Sequence, residues 1–270
     1  MTAVESILGR YLALRTLASM TAWFDNWREV WSCYRRGTEL PPLRFRRGFV
    51  LRHRPEDQAL LQFYEVFRDK SYRRHITVPP RGTIVDIGAN IGAVTLDFMT
   101  RLLDVRVHAY EPHPATIAML RTNIESNGLS PRIITYPEAV GGRSGVVTLR
   151  AGGPSMHTSL YGVGAVARAL EEFTVPIITL DTVIERSAVD GPIALVKIDA
   201  EGAEAEILEG ARPQSLREIR QLVIEYHDNL CPEALARCER VLAGADFRCT
   251  SRPALPHQGL LYAWRDGVRA

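Results

Sequence analysis

Three charged residues close an apolar segment of the sequence and could do chemistry there. Residues 193–196 form an uninterrupted apolar run, and Lys197, Asp199 and Glu201 follow at alternate positions. Alternation puts Lys197 and Asp199 on one side of a strand, with Glu201 just beyond it in the turn. Burying a lysine and an acid is costly unless they are paired or functional. We therefore predict either an active-site cluster or a structural ion pair.

A histidine closes the next apolar segment, which covers residues 222–226. Glu225 and His227 share one side of this predicted strand. A histidine at the carboxyl end of a strand, beside a candidate active site, is a candidate general base. A histidine that is hydrogen-bonded to a neighbour for structural reasons is the alternative.

A strand, a glycine turn and a helix are predicted over residues 83–96. Gly88 and Gly92 bracket the turn, where glycine lets the backbone bend and lets a ligand approach closely. The free N–H groups of the helix N-terminus point at the same place. Dinucleotide sites usually carry G-x-G-x-x-G, whereas here three residues separate the glycines. Asp86, two residues before the first glycine, would repel a pyrophosphate but suits a cation.

S-adenosylmethionine fits this turn better than NAD, since it carries an ammonium and a sulfonium and no phosphate. An ordinary strand-turn-helix unit is the alternative. Glu111 ends the predicted strand 105–110, about 20 to 25 residues after the turn, where a carboxylate can accept from both ribose hydroxyls. Glu138 and Ala139 follow the strand 133–136, where an adenine would lie. Glu138 could accept from its exocyclic amine or be a solvated loop acid.

The chain divides, on this interpretation, into an N-terminal helical cap region (1–80) and a cofactor-binding domain (81–270). Residues 151–175 break the alternation of strands and helices, and insertions at the carboxyl edge of a sheet commonly cover the site. His157, Ser159 and Tyr161 in this predicted lid are candidate substrate contacts. A merely decorative loop is the alternative.

Residues 3–35 are predicted to be helical, with a break near 19–21, and to carry three of the four tryptophans on one face. That face packs on the main domain or on a second copy of the chain, or else contacts a membrane surface or a large partner. Residues 1–36 are therefore the candidate surface for a homodimer or for peripheral membrane contact.

Composition sets the remaining limits. A chain of 270 residues fits one large domain, and a net charge of +2 gives no case for nucleic acid as a partner. The four cysteines lack the C-x-x-C spacing of a zinc site and indicate a reducing, cytoplasmic setting. No stretch is apolar enough to span a bilayer. Lysine occurs only at Lys70 and Lys197, against 31 arginines.

The chain resembles the FkbM-type S-adenosylmethionine-dependent methyltransferases over roughly residues 43–265. Three blocks carry the resemblance, and the strand end Glu225-x-His227 also fits. The blocks are Asp86-Ile-Gly-Ala-Asn-Ile-Gly92, Glu111-Pro112 and Lys197-Ile-Asp-Ala-Glu-Gly-Ala-Glu204.

The resemblance implies an α/β class I methyltransferase (Rossmann-like) fold. Its seven-stranded sheet is mostly parallel with a C-terminal antiparallel strand, and here it would carry an N-terminal helical extension. It also implies O-methylation of a small molecule, often a sugar or a secondary metabolite. The residues that would hold the cofactor are Asp86, Gly88, Asn90, Gly92 and Glu111.

By the same resemblance, Lys197, Asp199, Glu201 and His227 would face the methyl group and the acceptor, with Glu225 as a further substrate contact. His227 is our preferred base and Asp199 the other. Asp199 and Glu201 could bind Mg²⁺, although their spacing in the sequence does not require a metal ion. A non-catalytic docking protein and an NAD-linked oxidoreductase are the competing hypotheses.

Overall fold

A computed structural model of the protein describes residues 15–77, 81–102, 104–151, 158–159 and 171–265. The chain forms two compact units, Met1–Pro55 and Glu56–Ala270. Among the described residues, no helix has both the length and the apolar character needed to cross a membrane.

The first unit contains two helices and a strand pair. The elements are α1 (15–23), α2 (Trp27–Arg36), β1 (Leu43–Phe45) and β2 (Phe49–Leu51). The helix break lies at 24–26, later than predicted, because Phe24 leaves the helix to pair with Phe45. Their rings meet edge to face with centroids 5.0 Å apart. Residues 3–14 of the predicted helix lie outside the described residues.

The second unit holds the seven-stranded sheet and its helices. The strands of this sheet are β3 (Arg81–Ile87), β4 (Asp104–Tyr110), β5 (Ile133–Tyr136), β10 (Ile193–Ile198), β11 (Gln221–His227), β12 (Arg248–Leu255) and β13 (Gln258–Trp264). The α-helices are α3 (Ala59–Gln62), α4 (Ala93–Met99), α5 (Pro114–Ser126), α6 (Leu180–Ser187), α7 (Glu204–Glu209), α8 (Pro213–Glu218) and α9 (Ala234–Gly244).

The strand order in this sheet is β12-β13-β11-β10-β3-β4-β5. The five strands from β11 to β5 are parallel, and β13 and β12 add to the β11 edge in antiparallel fashion. The predicted α/β fold is therefore confirmed. Because β10 and β3 are neighbours, the carboxyl ends of the two motif-bearing strands lie side by side.

The core follows from the apolar segments of the sequence. Every residue of β10 and of β11 is buried, as uninterrupted apolar runs predict for strands covered on both faces. Val85, Val196 and Ile224 belong to one continuous hydrophobic cluster with residues of α6, α7 and α9. This packing fixes the strand ends that carry the polar residues.

The structure also contains a second, four-stranded sheet, which we did not predict. It contains β6 (Ala139–Gly141), β7 (Gly145–Ala151), β8 (Thr158–Ser159) and β9 (Glu171–Thr179), in the order β6-β9-β7-β8. Strand β8 and the first residues of β9 fall within the segment 151–175 that we predicted to be a lid. Within the predicted lid, His157 and Tyr161 lie outside the described residues, and Ser159 is described only through its backbone in β8.

Residues 55–73 form a series of short helical turns rather than one continuous helix. Short 3₁₀ turns at Pro55–Asp57 and Ser71–Arg73 flank α3 and the π-helix Phe63–Arg68. The amide side chain of Gln221 exchanges two hydrogen bonds with the Thr77 backbone, at 3.0 and 2.7 Å. The second unit begins at Glu56 and so includes the rest of this segment, whereas the division that we predicted from the sequence lies near residue 80.

Candidate active site

Lys197 forms the floor of the site, where β10 meets β3. The parallel register places Lys197 beside Asp86. The Lys197 Nζ lies 3.3 Å from Asp86 Oδ1 and 3.4 Å from Asp199 Oδ2. It also donates to the carbonyls of Ile87 at 3.1 Å and Gly88 at 2.5 Å. The predicted polar cluster is thus a buried group of linked charges.

The charges in this floor stabilise one another. Burial alone would lower the pKa of Lys197, but the carboxylates of Asp199 and Asp86 raise it above its usual range. Lys197 therefore stays cationic. The other oxygen of Asp86 accepts a hydrogen bond from the Thr95 hydroxyl at 2.6 Å. Asp86 is buried beneath the glycine turn, next to Lys197, and does not line either cavity of the site.

The glycine turn requires its first glycine for steric reasons. Gly88 has φ +71°, and a Cβ there would lie 1.8 Å from the carbonyl oxygen of Asp199. The N–H groups of Gly88 and Ala89 both donate to the Tyr110 carbonyl at 2.9 Å. Asn90 also has a positive φ, of 51°. Gly92, with φ +94°, begins α4. The turn is therefore tied to the ends of both β4 and β10.

Glu111 lies across the turn, at the end of β4. Its two oxygens accept from the backbone N–H groups of Asn90 and His113, each at 2.9 Å. Burial raises the pKa of Glu111 to about 7, although these two N–H groups oppose the rise. Each oxygen keeps a further lone pair, so the ionised carboxylate can accept two more hydrogen bonds.

A first cavity of about 650 Å³, counting its open mouth, extends from Glu111 along the strand ends. Glu138 lines it and is ion-paired with Arg186, while Ala139 lies beside it. The full lining is Ile87, Gly88, Asn90, Tyr110, Glu111, Pro112, Glu138, Ala139, Val140, Leu149, Asp199, Ala200, Glu201 and Ala203. A carboxylate at one end and apolar walls beyond it suit a ribose and a base.

A second cavity of about 540 Å³ adjoins the first and shares Gly88, Asn90, Asp199 and Glu201 with it. Its remaining lining residues are Gln62, Glu65, Val66, Tyr72, Ala89, Ala93, Val94, Lys197, Glu225 and Gln258. Glu225 accepts hydrogen bonds from the Tyr72 hydroxyl and, at 2.7 Å, from the Gln258 amide. The second cavity is therefore rich in carboxylates and hydrogen-bonding groups.

These carboxylates perturb one another. Burial first, and then the charges of Asp199 and Glu65, raise the pKa of Glu225 to about 8. Burial and the charge of Asp199 likewise raise the pKa of Glu65 to about 7. Clustered acids with shifted pKa values are typical of catalytic sites, although structural networks produce them too.

His227 is held beside the cavities rather than in their lining. Its Nδ1 lies 3.0 Å from Glu204 Oε1, and its Nε2 lies 3.6 Å from Glu201 Oε2. Burial alone would lower the pKa of His227, but Glu204, Glu201 and Asp199 raise it to about 10. The imidazole is therefore a cation at neutral pH, with a carboxylate near each nitrogen.

Glu204 fixes the loop that carries two of the predicted site residues. Its buried carboxylate accepts from the backbone N–H groups of Ala200 and Gly202 at 3.0 Å. Glu201, between them, has a positive φ of 47°, which this anchoring stabilises. Asp199, Glu201 and His227 also offer ligand atoms within 4.8 Å of one another, a spacing that a metal ion could use.

Four polar residues of the second cavity were missed by the sequence analysis: Gln62, Glu65, Tyr72 and Gln258. None lies in a motif block, and Tyr72 meets Glu225 across 153 residues of chain. The local sequence carried no signal for them. Of the predicted residues, the structure brings together Gly88, Asn90, Glu111, Glu138, Ala139, Asp199 and Glu201 in the first cavity, and adds Lys197 and Glu225 in the second.

Comparison with known proteins identifies the family. The methyltransferase FkbM domain matches residues 86–249, more than half of the chain. The chain is 28% identical to the 31-O-demethyl-FK506 methyltransferase FkbM of Streptomyces tacrolimicus over 236 residues, which cover 76% of this chain and 88% of that protein. It is 27% identical to the methyltransferase sdnD of Sordaria araneosa over 200 residues, covering 62% and 74% of the two chains. The protein therefore belongs to the FkbM methyltransferase family.

Proposed function

We propose that this methyltransferase uses S-adenosylmethionine to methylate a hydroxyl oxygen of a small molecule, a sugar or a secondary metabolite. The observation that carries the proposal is the pair of adjoining cavities that share Asp199 and Glu201. One cavity suits a nucleoside and the other a polar acceptor, so their junction is where a group would pass between them.

The residues of the first cavity fit this cofactor. Glu111, Glu138 and Ala139 all line this cavity, so Glu111 would accept from both ribose hydroxyls while Glu138 and Ala139 would contact the adenine. Gly88 lines this cavity with backbone atoms alone, because the Asp199 carbonyl fills the place of its Cβ. When bound, S-adenosylmethionine supplies a methyl group on a positively charged sulfur. The carboxylate of Asp199 at the junction favours such a positive charge.

The second cavity would orient the acceptor. Lys197 holds Asp199 at the junction, while Tyr72 and Gln258 fix the carboxyl of Glu225. Alignment of the hydroxyl oxygen behind the methyl group is mainly a positioning task. The name of the Streptomyces relative refers to a 31-O-demethyl substrate, which supports oxygen as the accepting atom.

His227, our preferred base from sequence, suits a different task in this arrangement. A cationic imidazole has no free lone pair with which to take up a proton. We propose instead that His227 positions Glu201 and Glu204 through the contacts at its two nitrogens. Asp199 remains a candidate acceptor contact. A magnesium ion at Asp199 and Glu201 stays an alternative, which the assay below includes.

The test is methyl transfer from radiolabelled S-adenosylmethionine to a panel of methyl glycosides and alicyclic alcohols, with primary amines and thiols as controls. We expect label in an ether product from at least one hydroxyl compound. Transfer to amines or thiols alone would contradict O-methylation. Each reaction is run with Mg²⁺ and with a chelator, and full activity in the chelator would exclude the magnesium alternative.

A further inference from the structure

Three carboxylates of the second cavity already have partners. Asp199 is paired with the Lys197 ammonium, and its protonation would remove a counter-charge from a buried cation. Both oxygens of Glu225 accept hydrogen bonds, from Tyr72 and Gln258. Glu201 faces the imidazolium of His227 at 3.6 Å. Each of these groups is therefore engaged in holding the site together.

Glu65 differs from these three carboxylates. It lines the same cavity, but no hydrogen bond or ion pair to another described residue holds its side chain. Its backbone is nevertheless well fixed, because Phe63, Val66 and Phe67 of the same π-helix are all buried. π-helical turns are rare and frequently occur at functional sites. The π-helix thus fixes the backbone of Glu65, and its carboxylate lines the cavity without a hydrogen-bond or ion-pair partner among the described residues.

The charges around Glu65 suit proton transfer near neutral pH. Burial first, then Asp199 and Asp69, raise its pKa, while Lys197 and His227 oppose the rise, and the result is about 7. A base with such a pKa is about half ionised at neutral pH and still binds a proton well. The three partnered carboxylates lack this combination of access and basicity.

We propose that Glu65 is the catalytic base, which takes the proton of the acceptor hydroxyl during methyl transfer. This inference rests on the proposed function. In the step, the acceptor oxygen bonds to the methyl carbon, and the carbon–sulfur bond breaks with its electron pair remaining on sulfur. The hydroxyl proton moves to the Glu65 carboxylate. A sulfonium and a carboxylate become a neutral sulfide and a carboxylic acid, which loses its proton to solvent before the next turnover.

The first test needs no acceptor. The side-chain carboxyl of Glu65 is followed by NMR in protein labelled with ¹³C at glutamate, and its signal is assigned by its loss in Glu65→Gln. We expect the Glu65 signal to titrate with a midpoint near 7. The control variant Glu56→Gln changes an exposed carboxylate before α3 and should leave this midpoint unchanged. A midpoint below about 5, the ordinary range of a glutamate, would overturn the proposal.

The second test uses the panel compound that is methylated fastest. Glu65→Gln should lower kcat about 10²-fold or more, the usual contribution of a general base, and abolish the rise of kcat with pH near 7. Glu65→Asp should keep that rise. Unchanged kcat in Glu65→Gln would overturn the proposal. The affinity of Glu65→Gln for S-adenosylhomocysteine, measured by calorimetry, should stay within about twofold of that of the unmodified protein. If the unmodified protein itself does not bind S-adenosylhomocysteine, the result counts against the proposed function and not against the role of Glu65.

Discussion

The two cavities of the site are built in different ways, although they share four lining residues. The first is defined by backbone: the glycine turn, the N–H groups that hold Glu111 and the ends of β3 and β4. The second is defined by side chains from segments far apart in sequence, including Glu65, Tyr72 and Glu225. A site that binds one common cofactor can be fixed by the fold, whereas a site for a particular acceptor depends on individual side chains.

The buried charges around Lys197 should be most sensitive to mutation. Lys197→Met would leave the buried carboxylates of Asp86 and Asp199 without their cation. Removing one partner of a buried ion pair costs about 3–5 kcal/mol, so we expect a loss of that order in the free energy of unfolding. Urea denaturation followed by circular dichroism measures it, and the double variant Lys197→Met/Asp86→Asn should recover part of the loss.

The sequence supplies its own control, because Lys70 is the other lysine and is exposed. Lys70→Met should change the free energy of unfolding by less than about 0.5 kcal/mol. Equal effects of the two lysine substitutions would contradict the view that Lys197 holds the floor together.

The second prediction concerns the first cavity alone. Glu111→Gln retains the shape of the side chain but replaces one acceptor oxygen with a donor group. A hydrogen bond to a charged group contributes about 1.5–3 kcal/mol, so affinity for S-adenosylhomocysteine should fall roughly 10- to 100-fold. Glu138→Gln, at a carboxylate already paired with Arg186, should have the smaller effect. The reverse order would assign the ribose contact to Glu138.

The third prediction concerns pH. Because burial raises the pKa of Glu111 to about 7, the carboxyl is largely protonated below that pH and ionised above it. Only the ionised form accepts from both ribose hydroxyls. Affinity for S-adenosylhomocysteine should therefore rise between about pH 6 and pH 8. Glu111→Gln should remove this dependence, and an equal rise in the variant would assign the titration to another group.

The fourth and smallest effect should be confined to the second cavity. Tyr72→Phe removes the hydroxyl that donates to Glu225, which costs about 1 kcal/mol in the free energy of unfolding. Since that hydrogen bond lowers the pKa of Glu225, the variant should raise it further. Affinity for S-adenosylhomocysteine should stay within about twofold, and a larger loss would show that the two cavities are not independent.

The difference between the two cavities also explains which features could be predicted from the sequence alone. Apolar residues before Asp86 and Lys197 predicted two buried strands that end in polar residues, and the structure pairs these strands as β3 and β10. The G-x-x-x-G turn and Glu111 are local patterns, so the first cavity could be anticipated. The FkbM family, inferred from three short blocks, was confirmed by the match over residues 86–249.

The acceptor side could not be predicted in the same way. In the sequence, Glu65 stands among aromatic residues like a solvent-facing acid of an ordinary helix, and nothing marks the π-helix that directs it into the cavity. The charge of His227 depends on Glu204 and Glu201, whose approach is set by the loop after β10. The position of Glu65 and the charge of His227 arise from tertiary contacts, and they could therefore not be predicted from composition or from the spacing of residues.

We expect the first cavity to bind S-adenosylmethionine through Glu111. The decisive measurement is a calorimetric titration with S-adenosylhomocysteine, using NAD as the control ligand. We predict micromolar binding of the sulfur compound and none of NAD, with weaker binding in Glu111→Gln and unchanged binding in Glu65→Gln. Binding of NAD, or failure of a folded protein to bind S-adenosylhomocysteine, would show that the first cavity is not a site for S-adenosylmethionine.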